Sequence, residues 1–144
     1  MTDILFKAKK KTNGEWIEGY FAKVKWYLDG STKFVIFPTD VCMFPRCEVS
    51  EWEEVIPETI CRYTGLTDSN GIKIWENDIC NRKEKYPEIV MYYEGDFILD
   101  YSYVFQREPG FDYCNLGFYA CKRKSVEVIG NIFDNPQLLQ EGEE

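Results

Sequence analysis

Alternation with a period of two dominates the chain. Tyr20, Ala22, Val24, Trp26 and Leu28 share one face of an extended segment, and Lys23 and Lys25 lie on the other. That pattern predicts a half-buried strand over residues 20–28, with the aromatic side inward. Asp29-Gly30 supplies a two-residue turn, and residues 33–37 (KFVIF) read as the return strand, stopped by Pro38. A second hairpin is predicted around Asn70-Gly71, with residues 61–64 and 72–75 as its arms. A third joins residues 88–93 to 97–103 through Glu94-Gly95-Asp96, read as a three-residue turn. Residues 111–120 read as one further strand and 125–129 as the last. Helical signals are few. Ser50-Glu51-Trp52-Glu53 fits a capping box, and Pro57 limits any helix it starts to one or two turns. Asn135-Pro136 places Asn at the N-cap and Pro at the first position of a closing helix over 136–140. Residues 39–50 show no clean period and read as a loop with a short edge strand. The sum is a mainly β (α+β) protein: several antiparallel hairpins in small barrel-like or sandwich-like sheets, with one or two short helices.

Composition narrows the function more than the fold. A chain of 144 residues makes one domain or two very small ones, and 44% apolar with 29% charged residues is a globular composition. Histidine is absent, which removes His-based triads, Cys–His dyads and His metal sites. The 17 basic residues against 25 acidic give a net charge of −8, which argues against a broad grip on nucleic-acid phosphates. The balance is −2 before Lys73 and −6 from there on, so neither part is a basic module. The charged loop at 81–85 is a candidate junction between them. The start shows no secretory apolar run, and no stretch is long and apolar enough to span a bilayer, so the expected compartment is the cytoplasm with no membrane partner. There the six cysteines are expected as reduced thiols. Cys42/Cys47 and Cys114/Cys121 lack the C-x-x-C spacing. An all-thiolate zinc site from those four is the alternative to small buried hydrophobes, which is the preferred reading, and no cofactor is expected.

Candidate chemistry is sparse. Asp68-Ser69-Asn70-Gly71, with Glu76 and Asp78 nearby, invites a calcium loop. Setting Gly71 at the sixth position puts Leu66 at the first and Asn77 at the twelfth, and both fail as ligands. The better reading is an Asx turn: Asp68 accepts backbone N–H groups, and Asn70-Gly71 supplies positive φ angles. Ten Tyr, ten Phe and four Trp exceed what a core this small readily hides. Tyr92/Tyr93 and Trp26/Tyr27 are adjacent pairs that face opposite sides of a strand, so some rings fill a second packed face or form an interface. Lys23 and Lys25, with Lys9-Lys10-Lys11 and Trp16, Tyr20 and Trp26, have the makings of a small single-strand nucleic-acid platform. A solvent face or edge guard is the simpler reading. Glu51, Glu53, Glu54, Glu76 and Asp78 are surface acids with no assignable catalytic pair. No G-x-S-x-G, P-loop or G-x-G-x-x-G is present, so the chain reads as a non-enzyme.

Two long segments resemble a known family. Residues 54–79 (EVIPETICRYTGLTDSNGIKIWENDI) resemble the signature of the YopX family of phage and prophage proteins, and residues 128–139 (VIGNIFDNPQLL) resemble its closing motif. Residues 4–21 match its opening more loosely. Asn77 stands where the family often has Gly, Trp75 where it often has Tyr, and Lys9 where it often has Trp. The motif positions carried over are Tyr63, Thr64, Gly65, Leu66, Asp68, Asn70, Gly71, Trp75, Glu76, Asp78, Gly130, Asn131, Asn135 and Pro136. The resemblance implies a phage-associated protein inside the bacterial host cell. Its expected fold is a single domain of two β subdomains, a sheet region over 1–60 and a region with an SH3-like barrel component over 61–144. It brings no catalytic residue. The expected function is therefore a non-catalytic protein-binding or assembly module, acting on a protein partner or on itself as a homo-oligomer through exposed Tyr and Trp rimmed by acids. The alternatives are a small nucleic-acid-binding module, or an acidic competitor of host nucleic-acid-binding proteins.

Overall fold

A computed structural model describes residues 3–43, 45 and 51–139. The chain divides into two compact units, residues 1–62 and 63–144.

In the first unit, β1 (Phe6–Lys9), β2 (Trp16–Lys25), β3 (Thr32–Phe37) and β4 (Glu53–Glu54) form an antiparallel meander. Ala8 pairs with Ile17, Ala22 with Val35, and Val35 with Glu54. The first residues of β5 (Cys61–Thr67) close on β1, Lys7 opposite Cys61. Ala8, Ile36 and Val55 form the core, with Phe6, Ile17, Phe21, Phe34 and Ile60 packed around them. Ile17 and Phe21 share a face with Lys23 and Lys25 and pack on this core, while buried Val35 pairs with Ala22 on the face that the alternation placed inward, so β2 is covered on both sides. The strand begins four residues earlier than predicted, and its lysines sit at the end that runs beyond the core. The predicted capping-box helix is a strand instead. Val55 N–H donates to the Phe34 carbonyl and Ile56 N–H to that of Lys9, so these donors serve the sheet. Only a 3-10 turn, Pro57–Thr59, follows; Ser50 lies outside the described residues.

In the second unit, β5 continues into a hairpin with β6 (Lys73–Trp75), and β7 (Asp78–Asn81), β8 (Glu88–Tyr93), β9 (Asp96–Asp100), β10 (Tyr113–Asn115) and β11 (Glu127–Asn131) follow. The two sheets have strand orders β4-β3-β2-β1-β5-β6 and β10-β9-β8-β7-β11. The mainly β expectation holds, but neither sheet closes into a barrel. The second core is Ile74, Cys80, Val90, Leu99, Leu116, Ala120 and Val126.

Three local expectations change here. The charged loop after Cys80 is the connection of a hairpin, with Cys80 opposite Glu88, and is no junction. Tyr93 pairs with Asp96, so the β8–β9 turn has two residues, Glu94 and Gly95, both with positive φ. The predicted strand over 111–120 stops at Asn115. There the Asn115 side chain accepts the Phe118 N–H at 2.7 Å ahead of a π-helical turn, Phe118–Lys122; Leu116 just before the turn and Ala120 within it are both buried in the second core. The closing element is a 3-10 turn, Pro136–Leu139. Among the described residues no helix is long and apolar enough to cross a membrane.

Candidate functional site

The signature segment builds one tightly bonded hairpin. Asp68 is buried, and its Oδ1 accepts the N–H groups of Asn70 at 2.8 Å and Ile72 at 2.9 Å. Its Oδ2 accepts the Val128 N–H at 2.9 Å, sixty residues away on β11. Burial raises the pKa of this carboxyl, and the N–H donors of Val128, Ile72 and Asn70 together hold it below the usual carboxylate value. The turn is closed by Gly71 N–H on the Asp68 carbonyl at 3.0 Å. Gly71 has φ +81° and Asn70 is not left-handed, so the glycine alone meets the backbone demand. Thr64 donates to the Ile74 carbonyl at 2.7 Å and takes the Leu66 N–H, so Gly65 sits in an irregular stretch of β5. The Tyr63 and Trp75 rings meet at 5.2 Å. Gly65, Leu66 and Asp68, with Ala120, Cys121 and Lys124, line a shallow cleft of about 500 Å³.

The remaining motif positions shape turns. Glu76 and Asn77 make the two-residue connection from β6 to β7, and Asp78 Oδ2 accepts the Trp75 N–H across it at 2.8 Å. Asn77 has φ +70°, which is why the family's Gly fits the same place. Asn131 accepts the Phe133 and Asp134 N–H groups, both at 2.9 Å. Asn135 does not serve as the expected cap; its Oδ1 turns back to the Asn131 N–H at 3.2 Å. A Cβ on Gly130 would lie 2.6 Å from that oxygen, so Gly130 makes room for it. Pro136 starts the closing turn. All fourteen motif positions thus lie in the second unit, and the bonds and packing found at them are those of turns and ladders.

Two polar clusters escaped the sequence reading. Glu88 is fully buried at the start of β8, on the same face as Val90. Its Oε1 lies 2.6 Å from Arg82 Nε without an aligned hydrogen bond, and its Oε2 takes the Cys114 thiol at 3.8 Å. The Arg82 guanidinium stacks 4.5 Å over the Tyr119 ring. Burial outweighs the Arg82 charge and pushes Glu88 up to about 7. Burial, with the Glu88 charge behind it, pushes the Cys114 thiol up to about 12, the opposite of an activated nucleophile. The alternation places Glu88 inward with Val90, and that was the available signal. The second cluster is Asp100 and Ser102, both buried. Asp100 accepts the Ser102 hydroxyl at 2.8 Å and the Gly110 N–H at 2.9 Å. Ser102 Oγ in turn accepts the Asp112 N–H at 2.8 Å and the Phe111 N–H at 3.2 Å.

This clamp pins the segment 102–112 beside an aromatic surface. Tyr93 and Tyr113 meet at 5.8 Å on one face of the sheet, and Tyr92 and Phe97 at 5.1 Å on the other. Phe111 is 68% exposed, Tyr92 44%, Tyr113 43% and Tyr93 36%. Glu94, Asp96 and Glu108 are exposed within three residues of Tyr93 or Phe111 along the chain. Trp26 and Tyr27 do not face apart as expected. Trp26 lies past the end of β2, and the two rings come within 5.7 Å. Cys61 and Cys80 are buried, but Cys42 and Cys121 are exposed and Cys114 is half-buried, so the reading of small buried hydrophobes fails for Cys42 and Cys121; among the described residues no group of three or more Cys, Asp or Glu is placed to hold a metal ion, and Cys47 lies outside them.

Comparison with known proteins gives a consistent relationship. A family model described as YopX protein matches residues 5–140. The crystal structure of protein EF1440 from Enterococcus faecalis superposes with a TM-score of 0.55 at 25% identity, covering 96% of this chain and 99% of that one. No curated protein matches.

Proposed function

The chain is a member of the YopX protein family, and from that premise we propose a phage- or prophage-encoded, non-catalytic module that binds a protein in the host cytoplasm. The working surface in this reading is the Tyr93–Tyr113 ring pair together with exposed Phe111, which the clamp holds two residues before Tyr113, and the exposed acids Glu94, Asp96 and Glu108 of the neighbouring turns. The observation that carries it is the clamp behind the rings. Asp100 and Ser102 are buried and hold five hydrogen-bonded contacts to keep an otherwise irregular segment in one conformation. Rigid, exposed aromatics lose little entropy when a partner covers them, and they dominate binding energy at interfaces. The acidic rim favours a partner with a basic border. Cys114 and Glu88 sit in the core as packing groups rather than as reacting ones.

The test is a comparison of wild type with the double variant Phe111→Ala/Tyr113→Ala. Both are used to capture partners from lysogenic host extract, and both are examined by light scattering. A partner or self-associated species present with wild type and lost in a variant of unchanged melting temperature supports the reading. Equal behaviour of the two proteins sinks it.

A further inference from the structure

The first unit leaves one strand half paired. β1 runs beside β2 only as far as Gly19, opposite Phe6, whereas β3 pairs with residues 20–25. Among the described residues no strand lies on the other side of 20–25. Trp26 N–H donates to the Ser31 carbonyl at 2.7 Å, so its backbone faces the β3 side. Successive residues of a strand point their N–H and C=O groups to alternate sides. Ala22 and Val24 therefore also face β3, and Phe21, Lys23 and Lys25 turn theirs away from it. Ile17 and Gly19 share that parity and face β1, which is the bonding side that residues 21–25 leave open. Such a row of backbone donors and acceptors is a template for another strand.

The two faces beside this edge differ. Lys23 and Lys25 are exposed on the face that carries Phe21. Lys23 Nζ lies 5.8 Å from the Phe34 ring centroid, and neither lysine has an ion pair among the described residues. The carboxylate of the hairpin turn, Asp29, is held by the Ser31 hydroxyl at 2.6 Å. On the opposite face Val24, Trp26, Val35, Phe37 and Trp52 wall an apolar trough of about 270 Å³, and Lys33 there is paired with Glu54 at 3.4 Å. A strand added at this edge alternates in the same way. Every second residue would meet Lys23 and Lys25, and those between would lie beside Val24 and the trough. A second copy does not fit, because two such edges paired about a two-fold axis set lysines against lysines on one face.

We propose that the free edge of β2 over residues 20–25 takes up an extended segment of a partner protein as an added strand, acidic at every second position and apolar between. Main-chain bonds supply the affinity, the lysines select the charge, and the trough takes the apolar side chains. This edge belongs to residues 1–62, and its use does not depend on the aromatic surface of the second unit.

The test titrates the full chain at low salt with a fluorescein-labelled peptide of alternating glutamate and valine, long enough to lie along residues 20–25, and follows anisotropy. Peptides alternating lysine with valine and glutamate with serine serve as comparisons. Saturable binding of the glutamate–valine peptide is expected, weakening as salt is raised. Both comparison peptides should bind less tightly. Lys23→Glu/Lys25→Glu, at exposed positions, should weaken the glutamate–valine peptide about tenfold or more and favour the lysine peptide. In wild type, amide exchange at Phe21, Lys23 and Lys25 should slow when the peptide binds, while Ala22 and Val24, which face β3, change little. That pattern separates strand addition from attraction to surface lysines, and it stands whether or not the variant folds. No saturable binding, equal affinity for either comparison peptide, equal affinity in the folded charge-reversal variant, or unchanged exchange at the three amides overturns the proposal. So does protection of those amides in the free protein that grows with its concentration, which would place a second copy at the edge.

Discussion

A single carboxylate, Asp68, joins three stretches of backbone. It fixes its own turn through Asn70 and Ile72 and reaches β11 through Val128. Asp68→Asn keeps the shape and replaces one acceptor with an amide that faces N–H donors. Hydrogen bonds to a charged group are worth ~1.5–3 kcal/mol each, so the variant should lose about 2–4 kcal/mol in urea denaturation. The pKa of Asp68 is lowered in the fold, so its contribution is present above the ordinary value of 3.8 and is lost as pH falls through the lower folded value. Glu88 has the opposite sign. Its pKa rises from 4.5 to about 7, so the favourable contribution is complete below pH 4.5 and is lost as pH climbs through about 7. Wild-type stability should therefore slope downward across that window. Glu88→Gln, which cannot ionise, should flatten the slope in a pH series of chemical denaturation. An unchanged slope would mean that Glu88 does not titrate there.

At the scale of elements, the punctuation by Gly, Asn and Asp was legible and all three hairpins are present, but the first turns over residues 26–31 instead of on Asp29-Gly30 alone, with Lys25 opposite Thr32 and only Gly30 of that pair left-handed. Boundaries failed where a side chain competed for the backbone. Asn115 accepts the Phe118 N–H and turns a predicted strand into a helical turn, and Ser102 bonds to Asp100 and ends β9 three residues early. Neither event has a period to detect. The alternation in β2 marked one covered face, with buried Val35 opposite Ala22, and hid the second, because Lys23 and Lys25 follow Ile17 and Phe21 on the face that packs on the core. The aromatic surface was visible as an excess of rings, but which of them the Asp100–Ser102 clamp would display depends on contacts about ten residues apart. Ser102→Ala removes a donor to Asp100 and the acceptor for Phe111 and Asp112. It should cost about 1–3 kcal/mol. Amide exchange should accelerate at Phe111 and Asp112 while Val90 and Leu99 stay protected. If exchange at Phe111 and Asp112 is unaltered, the clamp does not order the segment.

For the molecule as a whole, charge decides how the aromatic surface can be used. A net charge of −8 repels a second copy, and most of it lies in residues 63–144, the same unit as the exposed rings. Self-association through those rings would have to overcome that repulsion, so it should strengthen as salt screens it. A basic protein partner would respond in the reverse sense, since the acids at Glu94, Asp96 and Glu108 then attract. Light scattering across a salt series separates the two. A mass that rises with salt, and stays monomeric in Phe111→Ala/Tyr113→Ala, identifies a homo-oligomer built on this face. A wild-type monomer at every salt concentration leaves a basic partner as the expected occupant, and complex formation with that partner should weaken as salt is raised. A self-associated species that persists unchanged in the double variant would place the contact elsewhere on the molecule.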